Sequence, residues 1–217
     1  MAKVLGFPSA QALTSLQTES QQAGFSKESL TIMTVRQSKS DLSAAIKFYN
    51  SALRLAEDPE SIPQAISDYK LCLEYDPNHA DAAVNLGTIY YEKENFTEAE
   101  KYYKLAIEID PNFVLAHFNL GNTYDELKFY NLSIEAFLTA LAINQRYADA
   151  HFNLARMYNK IFPSQPNEAL KHFRAFIKYS PINENTRAWV TAARDEVRKI
   201  IRGSTLSVVR STSNAAS

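Results

Sequence analysis

Three phrases in this chain say nearly the same thing: DAAVNLGTIY ending at Tyr90, VLAHFNLGNTY ending at Tyr124, and DAHFNLARMY ending at Tyr158. They set Asn85, Asn119 and Asn153 34 residues apart. A fixed period between about 20 and 50 residues marks a stacked-repeat architecture, because one supersecondary unit cannot bury its apolar face without a neighbour. The sequence between the phrases is helical in character. Glycine is scarce, at 5 residues, and no glycine-rich phosphate loop occurs. Leu, Ala, Glu, Lys and Tyr dominate, with apolar residues recurring every three and four positions and no sustained strand-like alternation.

Punctuation divides the helices. Ser40 or Asp41 can cap a helix running through LSAAIKFYNSALRLA, and Ser61 followed by Pro63 is a cap and first-turn proline for PQAISDYKLCLEY. Asp76-Pro77-Asn78 and Asp110-Pro111-Asn112 close successive units, and Thr97 with Glu100 has the form of a capping box. Residues 1–40 are a different material, rich in Ser, Gln and Thr and slightly basic, which predicts a disordered arm or a marginal helix. Residues 41–183 hold about four helix-turn-helix units, the first degenerate. Residues 184–203 form a capping helix with Trp189, Ala192, Ala193, Val197 and Ile200 inward and Gly203 as its stop. Residues 204–217 read as a flexible tail.

In the second unit Leu86, Gly87, Tyr90, Ala99, Tyr103, Ala106 and Pro111 fall at the offsets W-x2-L-G-x2-Y…A-x3-F…P. In the third, Leu120, Gly121, Tyr124, Ser133, Phe137 and Ala140 take those places, with Gln145 where proline would stand. The fourth keeps Leu154, Ala155 and Tyr158, then Ala169, Phe173, Phe176 and Pro181 follow two residues late, after an insertion around FPSQPN. The first keeps Ala65, Tyr69, Cys72 and Pro77. These residues resemble the tetratricopeptide repeat over roughly residues 46–183. The resemblance implies an all-α, right-handed α-solenoid of helix-turn-helix repeats. The family's turn glycine is replaced by Glu94 and Lys128, so those turns are expected to carry a different or strained geometry.

Stacked units should present one face of each first helix on a concave surface. Its expected lining is Asp81, Val84, Asn85 and Thr88 in the second unit. Phe118, Asn119 and Asn122 follow in the third, and Phe152, Asn153 and Arg156 in the fourth. Amide side chains both donate to and accept from a peptide backbone whatever its sequence, and the two phenylalanines add apolar contact. The expected function is a non-catalytic scaffold or adaptor that holds an extended peptide or helix. Some tetratricopeptide co-chaperones grip an acidic C-terminus with Lys, Arg and Asn. Here Asn85, Asn119 and Asn153 fill the places for one Asn and one Arg of that clamp, and Asp81, Leu115 and Asp149 occupy the line that should offer a Lys. The clamp is absent, so a neutral or basic partner is expected, the chain's own basic arm being one candidate.

Other features read as structural. His117 and His151 recur at the repeat period where the family places a wedged aromatic, and neither has the companions a metal site needs. Cys72 fills a small core position, and one cysteine permits no internal disulfide. No nucleophile–base pair or carboxylate pair stands out, so neither enzyme activity nor a cofactor is expected. The net charge of −1 offers no pull toward nucleic acid. The basic residues Arg187, Arg194, Arg198, Lys199 and Arg202 alternate with Asp195 and Glu196 as on a solvated face. No apolar run reaches membrane-spanning length, and the expected location is cytoplasmic. A weaker likeness, in the EDP turn and AWVTAARDEVRKI, is to the repeat half of bacterial proteins joining such repeats to a MerR-type DNA-binding domain. Residues 1–40 are too short and polar to be that domain. A further alternative is a repeat fragment of a tetratricopeptide glycosyltransferase.

Overall fold

The computed structural model describes residues 27–214, with side chains described for residues 38–203. Residues 1–26 and 215–217 lie outside the described residues, and so does most of the expected polar arm and its suggested role as a plug.

The described residues are helical throughout: α1 (Lys27–Leu55), a 3-10 turn (Pro59–Ser61), α2 (Ile62–Tyr75), α3 (Ala80–Glu92), α4 (Phe96–Ile109), α5 (Val114–Glu126), α6 (Tyr130–Ile143), α7 (Ala148–Lys160), α8 (Pro166–Tyr179) and α9 (Glu184–Asn214). The chain divides into two compact units, Met1–Asp110 and Pro111–Ser217. In the first, α1 packs on α2, α2 on α3 and α3 on α4. In the second, α5 packs on α6, α6 on α7, α7 on α8 and α8 on α9. Each unit is therefore a run of stacked helical hairpins, the all-α solenoid expected from the 34-residue period.

One packing device recurs. Gly87 of α3 meets the ring of Tyr103 from α4, and Gly121 of α5 meets the ring of Phe137 from α6. A Cβ at either glycine would stand under 3 Å from the aromatic carbons, so the hairpin closes this tightly only because none is there. In the last hairpin Ala155 and Phe173 take the same places, both buried. Ser133 is fully buried among them, and its hydroxyl donates to the Gly121 carbonyl at 2.7 Å.

The two turns without glycine keep the left-handed geometry that glycine would supply: φ is 58° at Glu94 and 64° at Lys128. Each closes its helix with paired backbone bonds. Glu94 N–H donates to Tyr91 and Asn95 N–H to Tyr90, while Lys128 N–H donates to Asp125 and Phe129 N–H to Tyr124. The expected strain is present. It is held by these bonds and by the helix packing on either side. At the unit junction without proline, Asn144 Oδ1 accepts the Arg146 N–H at 3.1 Å, as Asp76 Oδ1 accepts the Asn78 N–H. The side-chain turn survives the loss of the proline.

Several local expectations are corrected. Helix α1 starts at Lys27, and Ser40 and Asp41 lie inside it: residues 27–39 contain neither Gly nor Pro to interrupt the helix ahead of them. The cap of α4 is Asn95, whose Oδ1 accepts the Glu98 N–H, so Thr97 and Glu100 stand two residues too far along. Ser61 occupies its cap position but donates its hydroxyl to Asp58 instead. Helix α9 runs through Gly203 to Asn214, because glycine ends a helix only where the chain turns left-handed, and here it does not. The inward stripe of α9 is Val190, Ala193, Val197 and Ile200, with Trp189 and Ala192 outside it. Trp189, one residue out of phase with that stripe, is turned about 100° away.

Candidate functional site

In the first unit the expected lining only partly faces outward. Asp81 is exposed, but Val84 is 2% exposed and belongs to the core, a correction to its expected place on the concave face. Thr88 is half-buried and committed: its hydroxyl donates to the Val84 carbonyl at 3.0 Å and accepts from the Tyr103 hydroxyl at 3.2 Å. Asn85 donates Nδ2–H to the Tyr49 hydroxyl of α1 at 3.3 Å. Tyr49, unremarked in the sequence, is thus part of this face. Burial first, and then the Asp81 carboxylate, push its phenol above the ordinary tyrosine range.

The second unit holds a defined cavity of about 310 Å³. Phe118, Phe152, Phe176 and Trp189 provide its apolar walls, and Asp149, Asn153, Arg156 and Thr186 its polar ones. Helices α5, α7, α8 and α9 each contribute. The rings brace one another: Phe152 lies 5.2 Å from Trp189 in an edge-to-face arrangement and 4.9 Å from Phe176, and Phe118 lies 5.0 Å from Tyr147. Phe176 is 3% exposed whereas Trp189 is 56% exposed, so the pocket runs from a buried wall to an open rim.

Its polar groups are placed by α7, on which Asp149, Phe152, Asn153 and Arg156 follow the i, i+3, i+4, i+7 spacing of one helix face. Asn153 donates Nδ2–H to Asn122 Oδ1 at 2.7 Å, tying α7 to α5. Arg156 faces Asp125 at 3.4 Å, a partly exposed pair. Asp149 is exposed and has no ion-pair partner among the described residues. Asn119 is half-buried on α5. The structure therefore gathers Phe118, Asn122, Phe152, Asn153 and Arg156 around one pocket or beside it. Trp189, Phe176 and Thr186 were missed there. The signal for Trp189 was its phase, one position before the α9 stripe.

The repeated histidines do what a wedge does, with a tether added. His117 Nε2 lies 3.0 Å from the Pro111 carbonyl and His151 Nε2 3.1 Å from the Gln145 carbonyl, six residues back in each case. His151 Nδ1 also meets Nδ1 of His172 on α8 at 2.9 Å. Burial lowers the pKa of both imidazoles, and that of His172 falls to about 4, with His151 as the second cause. His172 Nε2 is buried without a hydrogen bond among the described residues, and the Glu168 carboxylate is 4.0 Å away. Among the described residues no group of three or more His, Cys, Asp or Glu is placed to hold a metal ion. No helix there is long and apolar enough to cross a membrane. On α9, Arg198 pairs with Asp195 at 2.8 Å and Lys199 with Glu196 at 2.7 Å, so these cations sit on a mixed face.

The chain matches the family described as "TPR repeat" over residues 87–128 and the family described as "Tetratricopeptide repeat" over residues 114–147. Among solved structures it is similar to MamA protein at 20% identity and a TM-score of 0.60, over 73% of this chain and 87% of that one. It is also similar to YrrB, described as a TPR protein with an unusual peptide-binding site, at 25% identity and a TM-score of 0.55, over 72% of this chain and 80% of that one. The second TPR of Spaghetti (RPAP3), bound to the HSP90 peptide SRMEEVD, aligns at 20% identity and a TM-score of 0.50, over 52% of this chain and 97% of that one. No curated protein matches the sequence.

Proposed function

Because the chain is a tetratricopeptide-repeat protein, we propose that it is a non-catalytic scaffold whose second unit binds an extended peptide across α5, α7 and α9. The observation that carries this reading is the pocket of about 310 Å³, walled by three phenylalanines and Trp189 and flanked by the Asn122–Asn153 amide bridge. YrrB, of similar fold, is described as having a peptide-binding site, which supports peptide recognition as a use of this architecture.

The energetics assign the roles. In the Asn122–Asn153 bond Asn153 uses one of its two N–H groups, leaving one N–H and its carbonyl for a ligand. Two such bonds contribute about 1 kcal/mol each, whereas micromolar affinity requires about 8. Most of the affinity must come from a side chain seated among the rings, with the amides setting the direction of the ligand backbone. The polar rim favours a neutral or basic ligand: Asp149 is unpaired and Arg156 already faces Asp125.

Selection of peptides from a random library on the full chain tests the reading, with W189A and N153A as parallel baits. Trp189 is mostly exposed, so its truncation leaves the core intact. Peptides retained by the wild type and weakened about tenfold or more by W189A support the pocket as the seat. Peptides that bind all three baits equally would refute it.

A further inference from the structure

Resting on that peptide-binding reading, we propose that the pocket among Phe118, Phe152, Phe176 and Trp189 seats the side chain of a lysine or arginine of the partner. The inference starts from the pocket's two charged groups. They stand at opposite ends of one face of α7, Asp149 and Arg156, two turns apart. They are not equivalent. Arg156 is turned to Asp125 at 3.4 Å, so it already has an anionic partner within the protein. Asp149 has no cationic partner among the described residues. The electrostatic demand left at the pocket is for a cation at the Asp149 end.

The walls fit the rest of such a side chain. Lysine and arginine carry an apolar stem below the charged head and bury the stem readily while the head stays near water. The deep wall, Phe176 at 3% exposed with the half-buried Phe118 and Phe152, offers apolar surface to the stem. The rim offers the Trp189 indole, which packs against Phe152 at 5.2 Å in an edge-to-face pair and, at 56% exposed, leaves aromatic surface open to a cation. Tryptophan has the strongest attraction for a cation among the aromatic side chains. An acidic side chain would meet Asp149 and find the arginine already engaged. A purely aliphatic one would fill the walls and leave the carboxylate unanswered.

The chain has one tryptophan, so tryptophan emission, excited at the red edge where tyrosine does not absorb, reports on this pocket. The test titrates the full chain with acetylated, amidated heptapeptide pools free of aromatic residues, whose central position is fixed as Lys, Arg, norleucine or Glu. Norleucine keeps the apolar stem of lysine without its charge. A fluorescent label on each pool follows binding separately by polarisation. The Lys and Arg pools are expected to shift Trp189 emission and to half-saturate about tenfold below the norleucine pool, the sum of one exposed ion pair and one cation–π contact. D149N should shrink that difference to the few-fold left by the cation–π contact, weakening the Lys and Arg pools more than the norleucine pool, with circular dichroism confirming its fold. Norleucine or Glu pools that bind as tightly as Lys would overturn the cationic assignment and leave peptide recognition standing. Binding seen by polarisation without any change at Trp189 would overturn the pocket as its seat. Failure of every pool to bind would remove the peptide-binding reading itself.

Discussion

A single methyl group separates two opposite outcomes in this chain. Gly121→Ala would place a Cβ 2.6 Å from one ring carbon of Phe137 and 2.7 Å from the next, where comfortable carbon contacts are about 3.5–4.0 Å. Phe137 is fully buried and its ring lies 5.6 Å from that of Phe118, so it cannot swing out to solvent. Overpacking of this kind costs about 1–3 kcal/mol, and the better helix propensity of alanine returns about 1. Contacts this short put the cost in the upper part of that range, about 2–3 kcal/mol, so the expected net loss is about 1–2 kcal/mol, a fall of roughly 2–8 °C in melting temperature for a chain of this length. Gly203→Ala is the internal control. Nothing lies within 4 Å of the position its Cβ would take, so it should add helix content with no loss of stability. The assay is urea and thermal unfolding followed by circular dichroism, extended to a double-mutant cycle with Phe137→Leu. The smaller side chain makes room for the methyl, so G121A and F137L should couple by at least about 1 kcal/mol. A G121A protein melting at or above wild type, or a cycle with no coupling, would refute the claim that the glycine sets the hairpin's closeness.

Further outcomes follow from other features. Lys128→Gly and Glu94→Gly remove a side chain from a left-handed backbone, and should each stabilise by about 0.5–1 kcal/mol after the entropy of glycine in the unfolded chain is counted; unfolding midpoints check this. His172 takes up its proton near pH 6.5 when unfolded but only near 4 when folded. Between those values the unfolded state holds more protons, so its contribution is complete above about pH 6.5 and is lost as the pH falls toward 4, by up to about 3 kcal/mol. Denaturant unfolding at pH 7, 5.5 and 4 should show that slope, and H172F should flatten it. Cys72 is buried and its pKa is pushed up to about 11 by burial. It should resist a thiol reagent at pH 8 in the native protein and react within the same time once urea is added.

What could be read from the sequence was whatever the 34-residue period carries. Gly87, Gly121 and Ala155 meet their aromatic partners as spacing predicts, because a repeat places the same pair in each copy. The strain at Glu94 and Lys128 was legible from the resemblance, because the family keeps glycine at that turn and both copies here lack it. Features outside the period were not. Trp189 lies in α9, which repeats nothing, and an error of one residue in phase moved it from the core to the rim of the pocket. Val84 failed differently. It has the spacing of a surface face, yet packing of the neighbouring helices leaves it only 2% exposed. The cap at Asn95 was misplaced to Thr97 since both neighbourhoods offer a side-chain oxygen, and only the backbone path chooses between them.

The paired imidazoles of α7 and α8 impose an order on their own protons. A carbonyl oxygen can only accept, so the Nε2 of His151 facing Gln145 must carry its hydrogen, and its Nδ1 is then a bare lone pair. The ring facing that lone pair across 2.9 Å, His172, must therefore be protonated on Nδ1 and bare on Nε2. Two adjacent neutral histidines are thus locked as opposite tautomers, with a single direction of donation running from α8 through α7 to a loop carbonyl. His151 precedes Phe152 directly. The turn of α7 that carries Phe152 and Asn153 is therefore tethered in two directions, to α8 by one ring nitrogen of His151 and to its own preceding loop by the other.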